Sequence, residues 1–236
     1  MAYGIKLKVW GAYACFTRPE MKVERVTYDV ITPSAARGIL EAIYWKPEMR
    51  WVVDRLFVFN PIKLASIRRN EISCKIPAQK VKSALGGKEV KLGIAVEEHR
   101  QQRAAIILCD VSYGIEAHIE VLEHKGPESK PEAKHLDQFR RRAEKGKYFH
   151  HPYLGTREFP ADFELVEDFP PCDETLKGER DLGYMLHDIV FVPDEKGQII
   201  ESNKGLRLTA QPRFHRFTMR DGIIKVPPLE NGRVGK

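Results

Sequence analysis

The chain begins with apolar and polar positions that alternate as they do in half-buried strands. Residues 3–10, YGIKLKVW, follow this pattern, and residues 14–17, ACFT, continue it beyond Gly11. The run RWVVDRLFVFNPIKL is rich in β-branched and aromatic residues and predicts one long strand over about 50–64. Further strands are predicted over 103–122, as one strand or as two that separate near Tyr113-Gly114, and near 158–166.

Two segments have helical spacing instead. The first helix is predicted over about 33–45, where Thr32 is suited to cap a helix that starts at Pro33. Its apolar positions follow the helical period: Ala36, Ile39, Leu40 and Ile43. The second helix is predicted over about 131–145, from Pro131 to the residue before Gly146. Its apolar stripe consists of Leu136, Phe139 and Ala143.

The elements follow in the order β-α-β-β-α-β, which favours an α+β fold of the ferredoxin-like (RRM-like) type. In that fold both helices cover one face of an antiparallel sheet and the other face is free. We expect this domain over 1–168, with a basic insertion at about 68–98 that forms a mobile loop or a hairpin. The strand-rich remainder predicts a small antiparallel β subdomain over 169–236, with a hairpin turn at Asp221-Gly222.

Composition narrows the class of protein. The 236 residues are 42% hydrophobic, which is enough for a sizeable core and argues against a disordered chain. No apolar run is long enough to span a bilayer and no signal-like segment opens the chain, so a soluble, cytoplasmic protein is expected. A net charge of +6 without a long basic amphipathic helix favours nucleic acid over a membrane surface as partner. The four scattered cysteines are expected to be free and buried.

Positive charge is concentrated in residues 130–157, KPEAKHLDQFRRRAEKGKYFHHPYLGTR. This stretch has eight Lys and Arg residues against three acidic ones, a density typical of phosphate binding. It also contains three of the eight histidines, whose imidazoles can give and take a proton near neutral pH. The acidic stretch 158–181 follows it, and either confines a polyanion to one face or is an ordinary solvated loop. The cations and histidines of the basic stretch are Lys130, Lys134, Arg140, Arg141, Arg142, Lys145, Lys147, Arg157, His135, His150 and His151.

The second predicted helix has a basic face opposite its apolar stripe. Lys134, Gln138, Arg141 and Lys145 are spaced at i, i+4, i+7 and i+11. This face can follow a phosphate backbone, and the ordinary alternative is a solvated helix surface. The aromatic and imidazole side chains that come next favour single-stranded or hairpin RNA. The residues expected to bind RNA are Arg140, Arg141, Arg142, Lys145, Lys147 and Arg157, together with Lys80, Lys82 and Lys88 of the insertion.

Three side chains are candidates for acid-base chemistry. Lys134 and His135 are adjacent near the start of the second helix and can flank one phosphate. Tyr44 ends the first helix, and in a ferredoxin-like fold it can approach the second. RNA cleavage without a metal needs a base for the 2′-OH, an acid for the leaving 5′ oxygen and a cation for the phosphorane. The structural alternatives are a half-exposed histidine without a role and a tyrosine at the edge of the core.

No metal site and no cofactor are expected. The sequence has neither HExxH nor CxxC nor a cluster of carboxylates, and the adjacent His150 and His151 diverge too far to share a ligand easily. Gly86-Gly87 is not followed by the residues of a nucleotide-binding P-loop.

Five motifs together resemble one family, in order and over nearly the whole chain. They are VWGAYACFT (9–17), EAIYWKP (41–47), the pair Lys134-His135, YLGTREF (153–159) and GYMLHDI (183–189). With them the chain resembles the CRISPR-associated RAMP protein of the subtype I-C (Dvulg) system, the fifth Cas family.

The resemblance implies a metal-independent endoribonuclease that recognises the CRISPR repeat hairpin and cuts at its 3′ base. Its products would have a 2′,3′-cyclic phosphate and a 5′-OH, and the protein would stay on the 5′ handle in a Cascade-like complex with backbone and large subunits. The family's catalytic tyrosine and its lysine-histidine pair fall on Tyr44, Lys134 and His135. These would act as proton-transfer or 2′-OH-orienting partner, phosphorane stabiliser and general acid/base, respectively.

Two other classes of function also fit the sequence. One is a non-catalytic RNA-binding subunit of a CRISPR complex, in which a sister protein cleaves the RNA. The other is a basic module that binds duplex DNA, which the net positive charge permits. The simultaneous presence of Tyr44, Lys134 and His135 favours the enzyme, since a purely structural subunit has no need of all three.

Overall fold

A single long strand, β5 (Arg100–Val121), organises the sheet of the computed structural model, which describes residues 4–122, 131–199 and 207–229. Within these residues nine strands form one sheet, in which all pairs are antiparallel except that of β2 with β5. The expected α+β class is confirmed. The other elements are β1 (Gly4–Ala14), β2 (Arg25–Val26), α1 (Pro33–Ile43), β3 (Met49–Val58), β4 (Lys63–Ile72), α2 (Ala78–Leu85), α3 (Val96–His99), α4 (Pro131–Glu144), β6 (Asp162–Leu165), β7 (Glu179–Ile199), β8 (Arg207–Arg220) and β9 (Ile223–Lys225).

Four central strands lie in the order β6-β1-β5-β3, and α1 and α4 cover one face of them. Strand alternation supplies that face: Ile5, Leu7 and Val9 of β1 are buried. The buried side chain of Trp51 on β3 contacts both helices. Its Nε1 donates to the Tyr44 carbonyl at 2.9 Å, and its ring meets that of Phe139 with centroids 4.7 Å apart.

Both helices predicted from the spacing are confirmed, with ends one or two residues earlier than expected. The Thr32 hydroxyl caps α1 by accepting a hydrogen bond from the Ala35 amide at 3.2 Å. Tyr44 then leaves the helix with extended backbone (φ −156°, ψ 126°). In α4 the predicted stripe is buried and His135 is buried beside it, so the interpretation as a half-exposed histidine was wrong.

The single strand predicted over 50–64 was wrong. Two strands, β3 and β4, occupy that region and both pair with β5. Between them Asn60-Pro61 interrupts the ladder, and the Asn60 amide donates to the Asp110 carbonyl at 2.8 Å. Within β5, Asp110 has a positive φ of +51°. The strand is continuous through Tyr113-Gly114, where the sequence allowed for a break between two strands.

The basic insertion is more ordered than expected. Residues 68–72 belong to β4, which forms a hairpin with the first half of β5. Two short helices lie between the hairpin arms, and α2 has no buried residue. A polar sequence without an apolar period is compatible with such a helix because α2 stands on the surface of the molecule.

The second face of the sheet is partly covered, whereas a free face was expected. The Lys6 ammonium donates to the Glu167 carbonyl at 2.7 Å and to the Asp168 carboxylate at 2.9 Å. Phe169 packs against Phe57 and Phe59, with ring centroids 4.5 and 5.7 Å apart. The segment that joins β6 to β7 therefore crosses this face.

The carboxy-terminal strands extend the same sheet, since β9 pairs with both β3 and β8. The hairpin predicted at Asp221-Gly222 is confirmed, because both residues have positive φ, 51° and 77°, as a two-residue turn requires. Strand β7 is tied to α1 by Asp188, whose Oδ1 accepts hydrogen bonds from Arg37 Nε at 3.1 Å and Nη2 at 2.6 Å. Among the described residues no helix has the length and apolar character needed to cross a membrane.

The Arg37–Asp188 pair is expected to stabilise the fold, because both side chains are largely buried, with 24% and 11% exposed. Asp188→Ala should lower the free energy of unfolding by about 3 kcal/mol, since it leaves the guanidinium with Glu41 as its remaining acid partner. Urea unfolding measures this loss. The control is Glu179→Ala on β7, which breaks the exposed pair of Glu179 with Arg220 of β8 and should cost less than about 1 kcal/mol. An equal loss of unfolding free energy in the two variants would contradict a stabilising role for the contact between Asp188 and α1.

Candidate active site

The fold brings together two of the three residues that the sequence proposes for catalysis. Tyr44 follows the last turn of α1, and His135 lies near the start of α4. The phenol oxygen is 2.8 Å from His135 Nδ1, a hydrogen bond between residues 91 positions apart. Their ring centroids are 5.9 Å apart. The expected approach of the first helix end to the second helix is thus observed.

The backbone around Tyr44 is held from two directions. Trp51 Nε1 donates to the Tyr44 carbonyl, as described above, and Arg142 Nε of α4 donates to the Ile43 carbonyl at 2.8 Å. These are carbonyls that the end of a helix leaves without an intrahelical partner. The two contacts fix the exit of α1 and therefore the place of the phenol.

Glu48 is a third member of the site that the sequence analysis did not identify. Its Oε1 lies 3.6 Å from His135 Nε2, within the range of an ion pair but longer than a hydrogen bond. The Glu48 side chain is 51% exposed, whereas Tyr44 and His135 are only 6% and 4% exposed. Glu48 thus marks a side on which the pair approaches solvent. Its place in the turn after α1 was visible in the sequence, but nothing there connected it with His135.

The contacts of His135 indicate how the proton is shared. Burial is the main cause that raises the pKa of Tyr44, the Glu48 carboxylate raises it further, and Arg142 lowers it in part. The phenol is therefore protonated near neutral pH and can donate to Nδ1 of a neutral imidazole. A neutral imidazole that accepts this hydrogen bond at Nδ1 has its own hydrogen on Nε2, the nitrogen that lies 3.6 Å from Glu48 Oε1. The arrangement is a chain of groups suited to proton transfer.

Lys134 precedes His135 on α4, and its side chain is exposed. Adjacent helical residues point about 100° apart. The ammonium is thus presented at the surface of the helix while the imidazole is turned inward.

The predicted RNA-binding residues fall into two groups. On and after α4, Arg140 and Arg141 are exposed and donate to the carbonyls of Gly4 and Asp137, each at 3.3 Å. Arg142 is only partly exposed because it reaches back to α1. Exposed cations that come after α4 are Lys145, Lys147 and Arg157. The second group, Lys80, Lys82 and Lys88, belongs to the insertion and is also exposed.

The insertion lysines lie on or just after α2, at the tip of the β4–β5 hairpin. No hydrogen bond or ion pair between described residues joins them to α4. Lys130, which belongs to the basic stretch, lies outside the described residues. Within the described ranges no group of three His, Cys, Asp or Glu side chains is suited to hold a metal ion. All four cysteines are free, as expected, but only Cys15 is fully buried.

The comparisons with known proteins agree with these motifs. Residues 4–227 match the family model Cas_Cas5d, described as CRISPR-associated protein (Cas_Cas5). A CRISPR pre-crRNA endoribonuclease Cas5d of Mannheimia succiniciproducens is 49% identical over 234 residues, 97% of each chain. A protein of the same name from Thermus thermophilus is 43% identical over 229 residues, 94% of this chain and 91% of the relative. A crystal structure titled CRISPR-associated protein has the same fold at 23% identity, with a TM-score of 0.60 over 95% of this chain and 92% of the other.

The two charged neighbours of Tyr44 are expected to act on its pKa in opposite directions. Glu48→Gln should lower this pKa, because the substitution removes a carboxylate that disfavours the phenolate, and Arg142→Gln should raise it. Absorbance of tyrosinate during alkaline titration measures the change, with Tyr44→Phe versions of each protein subtracted to isolate Tyr44. Shifts of the same sign in both variants would contradict this electrostatic account.

Proposed function

The chain belongs to the CRISPR-associated Cas5 family, in the branch that the Cas5d model describes, and on this premise we propose that it is an endoribonuclease. Its substrate is precursor CRISPR RNA, which it recognises at the repeat hairpin and cuts at the 3′ base of that hairpin. The curated relatives that share 49% and 43% of aligned residues are named CRISPR pre-crRNA endoribonucleases. The observation that supports catalysis by this chain itself is the hydrogen-bonded pair Tyr44–His135, with Lys134 next to it.

The reaction uses the 2′-OH of the RNA as the nucleophile. The Tyr44–His135 pair accepts the proton of this hydroxyl while its oxygen attacks the adjacent phosphorus. The bond from phosphorus to the 5′ oxygen of the next nucleotide then breaks, and that oxygen takes up a proton from the pair. The products are a 2′,3′-cyclic phosphate and a 5′-OH, so atoms and charge balance. Lys134 stabilises the additional negative charge of the phosphorane.

Cleavage in this scheme is independent of metal ions. The chemistry of the three side chains supports this proposal, because a proton acceptor, a proton donor and a cation are all supplied by the protein. A bound metal would have to provide at least one of these functions in a metal-dependent enzyme.

After cleavage the protein remains on the 5′ handle of the guide RNA, in a Cascade-like complex with backbone and large subunits. Arg140, Arg141, Lys145, Lys147 and Arg157 contact its phosphates, and their exposed cationic groups support this role. Arg142 contributes mainly by holding the end of α1. Lys80, Lys82 and Lys88 would bind a more distant part of the RNA. A location in the cytoplasm follows from this RNA substrate.

We further propose that residues 1–168 form a ferredoxin-like RAMP domain and residues 169–236 a β subdomain. The strand order β6-β1-β5-β3, with α1 and α4 on one face, supports the first assignment because it matches a β-α-β-β-α-β chain whose outer strands flank the first and third. The long β7–β8 ribbon supports the second assignment.

The alternative function is a non-catalytic RNA- or DNA-binding subunit of a CRISPR surveillance complex. The same basic surface would serve that function, and duplex DNA is a possible further partner. A hydrogen-bonded tyrosine and histidine at 2.8 Å beside a lysine favours the enzyme, since binding alone does not require the pair.

Tyr44→Phe and His135→Ala are each expected to reduce cleavage of repeat RNA by roughly 10²- to 10⁴-fold, because each removes a proton-transfer group. Cleavage is measured in EDTA at a single turnover, and hairpin binding is measured separately to confirm that the variants are folded. His118→Ala is the control, since His118 is paired with Asp54 at 2.9 Å on the opposite face of the sheet.

A 2′-deoxy substitution at the scissile nucleotide should also stop the reaction. Unchanged cleavage in either site variant, or on the deoxy substrate, would sink this mechanism.

RNA affinity should fall steeply with salt, because phosphate contacts release counterions. Lys145→Gln with Lys147→Gln should reduce the slope of log affinity against log salt by about 1.4, at about 0.7 per contact to a single strand. The matched control replaces Lys63 and Lys177, two exposed lysines paired with Asp110 and Glu174. An identical slope in both double variants would show that the stretch after α4 only aids solubility.

A further inference from the structure

A cavity of about 280 Å³ lies beside the amino-terminal half of α1, at the other end of this helix from Tyr44. It is formed by segments from distant parts of the chain, including the motifs ACFT, YLGTREF and GYMLHDI. The active-site chemistry described above does not use it. We infer that this cavity binds one unpaired nucleobase of the RNA, a few nucleotides from the cut, an inference that rests on the proposed function.

The lining of the cavity is suited to a flat heteroaromatic group. Three aromatic residues, Phe16, Tyr28 and Tyr153, line it, and hydroxyl side chains are supplied by Thr17, Thr32 and Ser34. Largely apolar walls with a few polar groups are typical of small-ligand sites, in which the polar groups fix the orientation. A base offers two faces for stacking and an edge for hydrogen bonds.

The cavity is connected with the candidate active site by residues 148–153, which run along α1. The Phe149 amide donates to the Ala42 carbonyl at 2.8 Å, near the end of α1, whereas Tyr153 lines the cavity together with Ala35. Seven residues of helix separate Ala42 from Ala35, a rise of about 10 Å. At about 3.4 Å per stacked nucleotide, this distance accommodates about three nucleotides.

The surface between the two sites is aromatic and exposed. We define the aromatic strip as Trp45, Tyr148, Phe149, His150, His151 and Tyr153. Phe149 is 86% exposed, and its ring has an edge contact with the ring of His150, with centroids 6.1 Å apart. The rings of His150 and Tyr153 are nearly parallel, with an interplanar angle of 27°. Exposed rings of this kind provide stacking platforms for a single strand of RNA.

Charge favours RNA over a protein segment as the occupant. Exposed cations flank residues 148–153 along the chain, with Lys145 and Lys147 before them and Arg157 after them. In addition, the Arg18 guanidinium stacks over the Tyr28 ring at 4.6 Å, so one wall of the cavity is backed by a cation. Cations that flank an aromatic segment attract a phosphate backbone more strongly than a neutral peptide.

Gly38 permits a direct test because it borders the cavity and is exposed. A Cβ atom added there meets no heavy atom within 4 Å. Gly38→Ala therefore adds only a methyl group, and within a helix it is expected to be at least as stable as glycine. Gly38→Leu places a larger side chain at the border of the cavity. The two variants differ in the space they leave for a base while both improve helix propensity.

Binding is measured with repeat RNA that has a 2′-deoxy scissile nucleotide, so that cleavage does not interfere. In a series of these RNAs, each RNA lacks the base at a single position near the cut. For the wild-type and Gly38→Ala proteins, one abasic position within about three nucleotides of the cut should weaken binding by roughly 5- to 100-fold. Gly38→Leu should bind intact RNA as weakly as the wild type binds that abasic RNA, and the abasic change should then have no further effect.

Tyr153→Leu is a second variant that removes a ring while it keeps an apolar side chain. It should show the same loss of sensitivity to the abasic position, which keeps the inference testable if Gly38→Leu unfolds at a lower temperature. Equal affinity of the Gly38→Ala and Gly38→Leu proteins for intact RNA, or the absence of any sensitive position, would overturn the inference and leave the cavity to a protein partner. Cleavage of unmodified RNA is scored separately. If unmodified RNA is not cleaved but one abasic position still weakens binding, the result contradicts the proposed catalysis and leaves the base site supported.

Discussion

The register of strands on β5 is the constraint on which the rest of the structure depends. The first residue of β3, Met49, pairs with Val121, the last residue of β5. The chain reaches Met49 directly from the end of α1, and α4 is the next described element after β5. The end of α1 and the start of α4 therefore lie at the same end of the sheet and on the same face. Because of this register, Tyr44 and His135 meet although 91 positions separate them.

Burial determines what this pair can do. A phenol and an imidazole that are almost fully enclosed disfavour their charged forms, so burial keeps the Tyr44 phenol protonated while it is hydrogen-bonded to His135. The proposed cleavage requires an opening for RNA beside the pair, and the half-exposed Glu48 near His135 Nε2 marks a side on which the pair approaches solvent. An approaching phosphate meets this carboxylate and is repelled by it. Lys134, the residue before His135, is exposed on α4, and in the proposed mechanism its cationic group offsets that repulsion.

The sequence was sufficient where local chemistry decides the structure. The cap at Thr32, the stripes of α1 and α4 and the turn at Asp221-Gly222 each follow from short-range spacing, and all four were found. The boundary between β3 and β4 was missed because strand-forming residues continue on both sides of Asn60-Pro61. That these residues form two strands is visible only in their separate pairing with β5. Glu48 and the cavity were missed for a similar reason. Their neighbours are distant in sequence, so no periodicity relates them.

The motifs that resembled one family in the sequence are related in space by helix α1. Near its amino-terminal half, ACFT and YLGTREF contribute to the cavity, and Gly155 is required there because its φ is +86° and a Cβ would lie 2.1 Å from the Cys15 carbonyl oxygen. Along its middle, Asp188 of GYMLHDI binds Arg37. After its end, EAIYWKP supplies Tyr44, which meets the histidine of the Lys134-His135 pair. A helix held at these three levels cannot shift without moving both the cavity and the phenol. The distance between the proposed base site and the Tyr44–His135 pair is therefore set by a rigid element, which suits the proposed cleavage at a fixed nucleotide.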